Sequence, residues 1–490
     1  MSKLSPLSLS LSKGGLLLAT FTSTTAQAHS FGITYSLPVP FWLYGSGAAV
    51  ALALSFVVAA VFMRRGAESA NKSAKVIGSH PVLSGFVRLS QILALVFLAA
   101  AVITGLYGHP NSYANLNMTL FWIIFVLAFA YFTAVIGGLY QFANPWQNIA
   151  CGIGKLVKPI QTGLFKYNAE RFGYWPAIAL YIAFIWVELF GATKPLSLAY
   201  YLMAYTGINV LGSLLWGIKD WFRYGEFFSV FLRMMALAAP FTLSKPEGGN
   251  LQLSLQWPFA QLLKETADHK SLVVFILFML SSTAYDGLHE TVPWQRLFWS
   301  QLLPTLDPSV LEHGLRAIIT HRSWYDTYQW GSLILSPFVY LAAYLLALWG
   351  GKKLAKSDLS LSHLAVRFAY SLLPIALVYH VTHYYTLLQT QGLKVLALFS
   401  NPLGWDWNLF GTADWFKYPI IPDVSWVWHI QVITIVIGHI ISVYIAHVEA
   451  LRLFGDHRKA TLSQLPMLLL MMAFTTAGLW ILAQPIQSGL

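Results

Sequence analysis

The chain has 490 residues, of which 57% are hydrophobic, 15% aromatic and only 10% charged, with a mean hydropathy of +0.60. That composition excludes an ordinary soluble domain and predicts an all-α fold, a polytopic integral membrane helical bundle. The net charge of +11 is no sign of nucleic acid when Lys and Arg sit in the loops of a membrane chain, and a single cysteine, Cys151, excludes an internal disulfide or a cysteine-cluster metal site.

Residues 1–28 carry Lys3 and Lys13, an apolar patch from Leu16 to Phe21, and "TTAQA" before His29. This is the pattern of a secretory signal peptide cleaved after Ala28, which leaves 29–490 as one transmembrane domain. Cleavage would make His29 the mature N-terminus, on the outer side, where its free amine and imidazole form a copper chelate. A span needs about 20 mostly apolar residues. Ten stretches qualify: 41–63, 87–107, 118–140, 175–193, 198–218, 271–289, 329–350, 364–389, 426–447 and 465–485. With the mature N-terminus outside, the inner loops hold 22 Lys and Arg and the outer loops six, as the positive-inside rule demands. The inner loop 219–270 and the outer segments 291–326 and 391–425 are expected at the membrane interface. Within the first, "EFFSVFLRMMALAAPFTL" (226–243) holds Arg233 and ends at Pro240. It is read as lying in the inner interface or re-entering the membrane. Five spans on either side of that loop is also the arithmetic of an inverted-repeat transporter.

Ionisable residues inside spans are functional candidates. The fourth span has Glu188 near its outer end. The sixth ends in "STAYDGLHET", which sets Asp286, His289 and Glu290 at i, i+3 and i+4 on one helical face. The eighth carries His380, His383 and Tyr384 in "VYHVTHYYTLL", and the ninth carries His429, His439 and His447. Most of these gather in the outer half, which predicts a shared polar site there. Three chemistries can use it. A transition metal such as copper, zinc or iron takes neutral imidazole and carboxylate ligands. A haem or quinone electron-transfer subunit needs paired histidines at one depth; His383 and His439 differ by about 13 Å, whereas His380 or His383 with His429 fits better. A proton or ion pathway needs polar groups across the membrane, and the inner half offers few. The outer loop "NPLGWDWNLFGTADWFKYP" (401–419) is dense in Trp and either caps the polar cluster or rests at the headgroup level. No P-loop, Rossmann glycine pattern, H-E-x-x-H or G-x-S-x-G occurs.

Together "HSFGITYSLPVPFWLY", "STAYDGLHET", "GWDWNLFGTADW" and "GHIISVYIAH" resemble a family of bacterial polytopic membrane proteins labelled fenitrothion hydrolase-like, over nearly the whole mature chain. The resemblance places the family's acidic residue of the fourth span on Glu188, its F-D-G aspartate on Asp286, its A-H-Y histidine on His383 and its G-H histidine on His439. Tyr285 replaces the family's Phe, and His289, His380 and His429 look like additions. What it implies is cleavage of a P–O aryl ester by an enzyme of the bacterial inner membrane. The resulting expectation is a metal held by His383, His439, His380, His289, His429 and His29, with Asp286, Glu290 and Glu188 as the catalytic carboxylates. The substrate is a lipophilic small molecule reached from the lipid bilayer, with partner membrane subunits allowed and no nucleic acid. A copper carrier that delivers metal without turnover is the rival.

Overall fold

A computed structural model describes residues 40–62, 75–79, 81–244, 250–310, 319–416, 418–420 and 422–484. The expected signal peptide and His29 lie outside the described residues. The chain is an all-α, multi-pass membrane protein. Among the described residues, nine helices are long and apolar enough to cross a bilayer: α1 (Phe41–Phe62), α2 (Pro81–Tyr107), α3 (Leu116–Ile136), α5 (Pro195–Trp216), α7 (Lys270–His289), α8 (Arg322–Leu354), α9 (Leu361–Gln391), α10 (Val424–Phe454) and α11 (His457–Ala483). The expected fourth span is α4 (Trp175–Phe190), 16 residues long. At 1.5 Å per residue it reaches only about 24 Å. It runs alongside α7. The Tyr174 amide, just before α4, donates to Ser271 Oγ at the start of α7, at 2.7 Å, and Glu188 near the end of α4 meets the partners of Asp286 near the end of α7.

α7 is the axis of the bundle. Residues from Leu272 to Leu280 are buried without a break, so its whole circumference is packed, the state expected of a helix apolar all round. The segment expected at the interface or re-entering is the half-helix α6 (Phe227–Ala236), and it is buried in protein: Phe227, Phe228, Val230, Phe231 and Met235 belong to the core. A helix start inside an apolar core exposes amide groups with no intrahelical acceptor. Glu226, 0% exposed, supplies the acceptors. It takes the amides of Phe228 and Ser229 at 3.0 and 2.7 Å, with Asn144 Nδ2 at 3.2 Å and the Tyr205 hydroxyl as further donors. Trp146 stacks on Phe228 at 5.5 Å, and Tyr181 on Phe227 at 5.4 Å.

At the end of the bundle where α6 enters, three short strands from distant loops form an antiparallel sheet in the order β1 (Lys75–Ser79), β3 (Gln252–Leu255), β2 (Phe241–Ser244). Lys75 faces Leu255 and Ser79 faces Gln252, with one irregularity between Val76 and Gly78; Phe241 also faces Leu255 from the other side. The opposite end, called here the Asp286 end, gathers the carboxyl ends of α4, α7 and α9.

Candidate functional site

Three helices bring the polar cluster together. Asp286 on α7 is 2% exposed, so its carboxylate is held away from water and depends on donors from its neighbours. His383 Nε2 on α9 lies 2.7 Å from Asp286 Oδ2, and the next residue, Tyr384, donates to the same oxygen at 2.9 Å. The Tyr384 hydroxyl is also 3.0 Å from Glu188 Oε1 on α4. A phenol owns one hydrogen, so Tyr384 serves one carboxyl group as donor at a time and ties both to one point. The helical spacing that set His289 on the Asp286 face holds: its Nε2 is 3.8 Å from Asp286 Oδ1, longer than a hydrogen bond, with the ring packed against Tyr285 and Phe190. Glu290 is the residue where the chain leaves α7, and it joins neither His383 nor Tyr384 in these bonds.

The Asp286 carboxylate can only accept, so the His383 nitrogen facing it carries the hydrogen and Nδ1 is the basic nitrogen. Gly287 makes room for α11 beside this ring: a Cβ there would lie 2.5 Å from Ile481 Cγ2, and at an ordinary contact of 3.5 Å from His383 Cε1. Below the cluster a cavity of about 20 Å³ is lined by Glu188, Tyr384, His380, Ser282, Thr283 and the face of α6 bearing Phe231. That is room for about one water. His380 lines it together with Glu188. The Tyr131 hydroxyl donates to the His380 carbonyl at 3.0 Å, so the 3.2 Å contact between Tyr131 and His380 Nδ1 uses the imidazole hydrogen, which fixes this ring too.

The two histidines of α10 do not join. His439 is 0% exposed and donates from Nδ1 to the Ile435 carbonyl at 2.8 Å; its Nε2 has no hydrogen-bond partner among the described residues. His429 is exposed, with Nδ1 on the Ser425 carbonyl at 2.7 Å. Each is turned onto the carbonyl one turn back on its own helix. His447 pairs with Gln464 at 3.0 Å. Among the described residues no group of three or more His, Cys, Asp or Glu is arranged to hold a metal ion. His383, Asp286 and His289 have the right donor types, but His383 and Asp286 face each other directly, so an ion between them would first have to open that bond. Tyr384 was named from the sequence on the span of His380 and His383, but without a role; Tyr131 escaped the sequence reading, since its partner is 249 residues away. No family model matches the chain, and neither the curated proteins nor the solved structures give a match.

Proposed function

We propose that the Asp286 cluster performs acid–base chemistry on a lipophilic substrate inside the membrane, with hydrolysis of an organophosphate-type ester as the reaction class. One observation carries the reading: a buried aspartate holds an imidazole at 2.7 Å in a membrane-spanning part of the bundle. Asp286 accepts from His383 Nε2, and its carboxylate would stabilise the imidazolium that forms when this histidine takes a proton from water. Tyr384 keeps Glu188 beside this pair. The surrounding apolar helices suit a substrate that arrives from the bilayer, and the charge count favours an outward-facing Asp286 end. Were a transition metal bound, His383 would be the residue to hold it, because a ligating histidine commonly gives its other ring hydrogen to a carboxylate. Asp286 is then the residue that orients the ligand, and the metal would supply Lewis-acid polarisation of the ester.

The test uses the purified protein in nanodiscs, with chromogenic aryl phosphotriesters and aryl carboxylic esters, and with metal content measured on the same samples. Wild type should release the aryl group, and His383→Ala and Asp286→Asn should each slow it by about 10²–10⁴. His429→Ala, outside the cluster, should leave the rate unchanged. No turnover in wild type, or equal rates in all four proteins, would overturn the reading. Bound metal that falls with His383→Ala while no sample turns over selects the carrier.

A further inference from the structure

Between α9 and α10, the described residues of 401–420 form a loop in which several backbone amides are satisfied by side chains of Ser400 and of the segment itself. Ser400, fully buried, is its hub. Ser400 Oγ accepts the amides of Phe410 and Thr412 at 3.1 and 3.2 Å and bonds the Thr412 hydroxyl at 2.7 Å, while the Ser400 carbonyl takes the Leu409 amide at 3.0 Å. Asn401 and Asn408 side chains accept the amides of Trp407 and Ala413. Gly404 and Gly411 turn the chain at φ +72°. At Gly404 the loop lies on the α2–α3 connection, where a Cβ would come 2.8 Å from His109 Cβ. With its hydrogen bonds spent internally, the loop shows its surroundings large apolar side chains: Trp405, Leu409, Phe410 (70% exposed), Trp415, Tyr418 (84%) and Ile420.

A loop surrounded by water is expected to show the reverse, and one segment exposing this many large apolar residues marks an interaction surface. Its neighbours fix its depth. α9 ends at Gln391 and α10 starts at Val424, both at the Asp286 end, so the loop hangs at the membrane boundary that these spans define. We propose that 401–420 is a membrane-binding collar, lying in the lipid leaflet at the Asp286 end with its aromatic side chains among headgroups and upper acyl chains. Trp and Tyr favour that depth, and the occupant is the bilayer continuous with the lipid around α9 and α10. By sequence the loop carries Asp406 and Asp414 against one cation, Lys417, so apolar contact rather than attraction to anionic lipid holds it. The collar fixes the depth of the helix that bears His383 and Tyr384, whatever chemistry they perform.

The experiment places a bimane label at position 410 or 418, as Phe410→Cys or Tyr418→Cys in a Cys151→Ser background. Asp358→Cys, in the exposed loop between α8 and α9, is the water-facing reference. The full chain is reconstituted into phosphatidylcholine nanodiscs, with either a lipid nitroxide near the headgroup or aqueous iodide as quencher. Labels at 410 and 418 should be quenched severalfold more by the lipid nitroxide than the label at 358, and severalfold less by iodide. Iodide quenching equal to that at 358, with no lipid quenching, would overturn the proposal in favour of an aqueous loop. Protection from both quenchers would overturn it in favour of a protein surface, such as a second copy. Two label sites keep the test readable if one variant fails to fold.

Discussion

Replacing Tyr384 by phenylalanine removes one hydroxyl and keeps the ring, which packs against His380 and His383 at centroid distances of 5.0 and 4.7 Å. The hydroxyl meets carboxyl oxygens at 2.9 and 3.0 Å, but with a single hydrogen its loss counts as one donated bond, not two. A hydrogen bond with a charged partner contributes about 1.5–3 kcal/mol, a neutral one about 0.5–1.5. Tyr344 is the matched reference: buried in the same core, it donates to the Ala365 carbonyl at 2.9 Å. Tyr384→Phe should therefore cost about 1–1.5 kcal/mol more than Tyr344→Phe. The assay is the unfolding free energy of each variant from SDS titration in mixed micelles. Equal costs would refute the reasoning that Tyr384 serves a charged acceptor, and a stabilised Tyr384→Phe would show that desolvating the hydroxyl outweighs its contacts.

Gly351→Ala should destabilise the α8–α11 contact by about 1–3 kcal/mol, because its Cβ would lie 2.0 Å from the Ser463 carbonyl oxygen. Gly331→Ala, on the same helix with nothing within 4 Å, should instead gain about 0.8–1 kcal/mol of helix propensity; thermal midpoints of the pair decide it, and a midpoint no lower for Gly351→Ala would contradict the packing. Glu226→Gln turns an amide NH₂ toward donors that a carboxylate oxygen now serves, so the start of α6 should lose at least about 1–3 kcal/mol. The fraction of monodisperse protein after detergent extraction reads this, and an unchanged fraction and midpoint would count against the cap. Burial lowers the Lys394 ammonium below its ordinary 10.5, although it lies over the Tyr113 ring. Between the folded and unfolded values the unfolded chain binds more protons, so stability should rise with pH through that window. Lys394→Met should flatten the rise, as measured by midpoints across the alkaline range.

The spans were legible because twenty apolar residues have few other stable fates, and α4 was found by composition although its helix is short. Glu226 was invisible, since a lone acidic residue in a basic loop reads as solvated until α6 is seen to start inside the core. Helical spacing placed His289 beside Asp286, a local fact that sequence encodes. The same reasoning failed for His429 and His439, which share a wide face of α10 but spend their Nδ1 hydrogens on carbonyls one turn back. The link from Tyr384 to Glu188 spans 196 residues, and spacing within one helix says nothing of it. The sheet, too, joins four- and five-residue strands from loops far apart, too short to stand out from their surroundings.

The central claim is that His383 and Asp286 act as one unit in turnover. The measurement that tests it most directly is a double-mutant cycle on ester hydrolysis in nanodiscs, using His383→Ala, Asp286→Asn and the two together. Residues that act as a unit are far from additive. The account predicts that the double variant is about as slow as His383→Ala alone. Two single losses that multiply in the double variant would contradict it, leaving the 2.7 Å contact as a tie between helices.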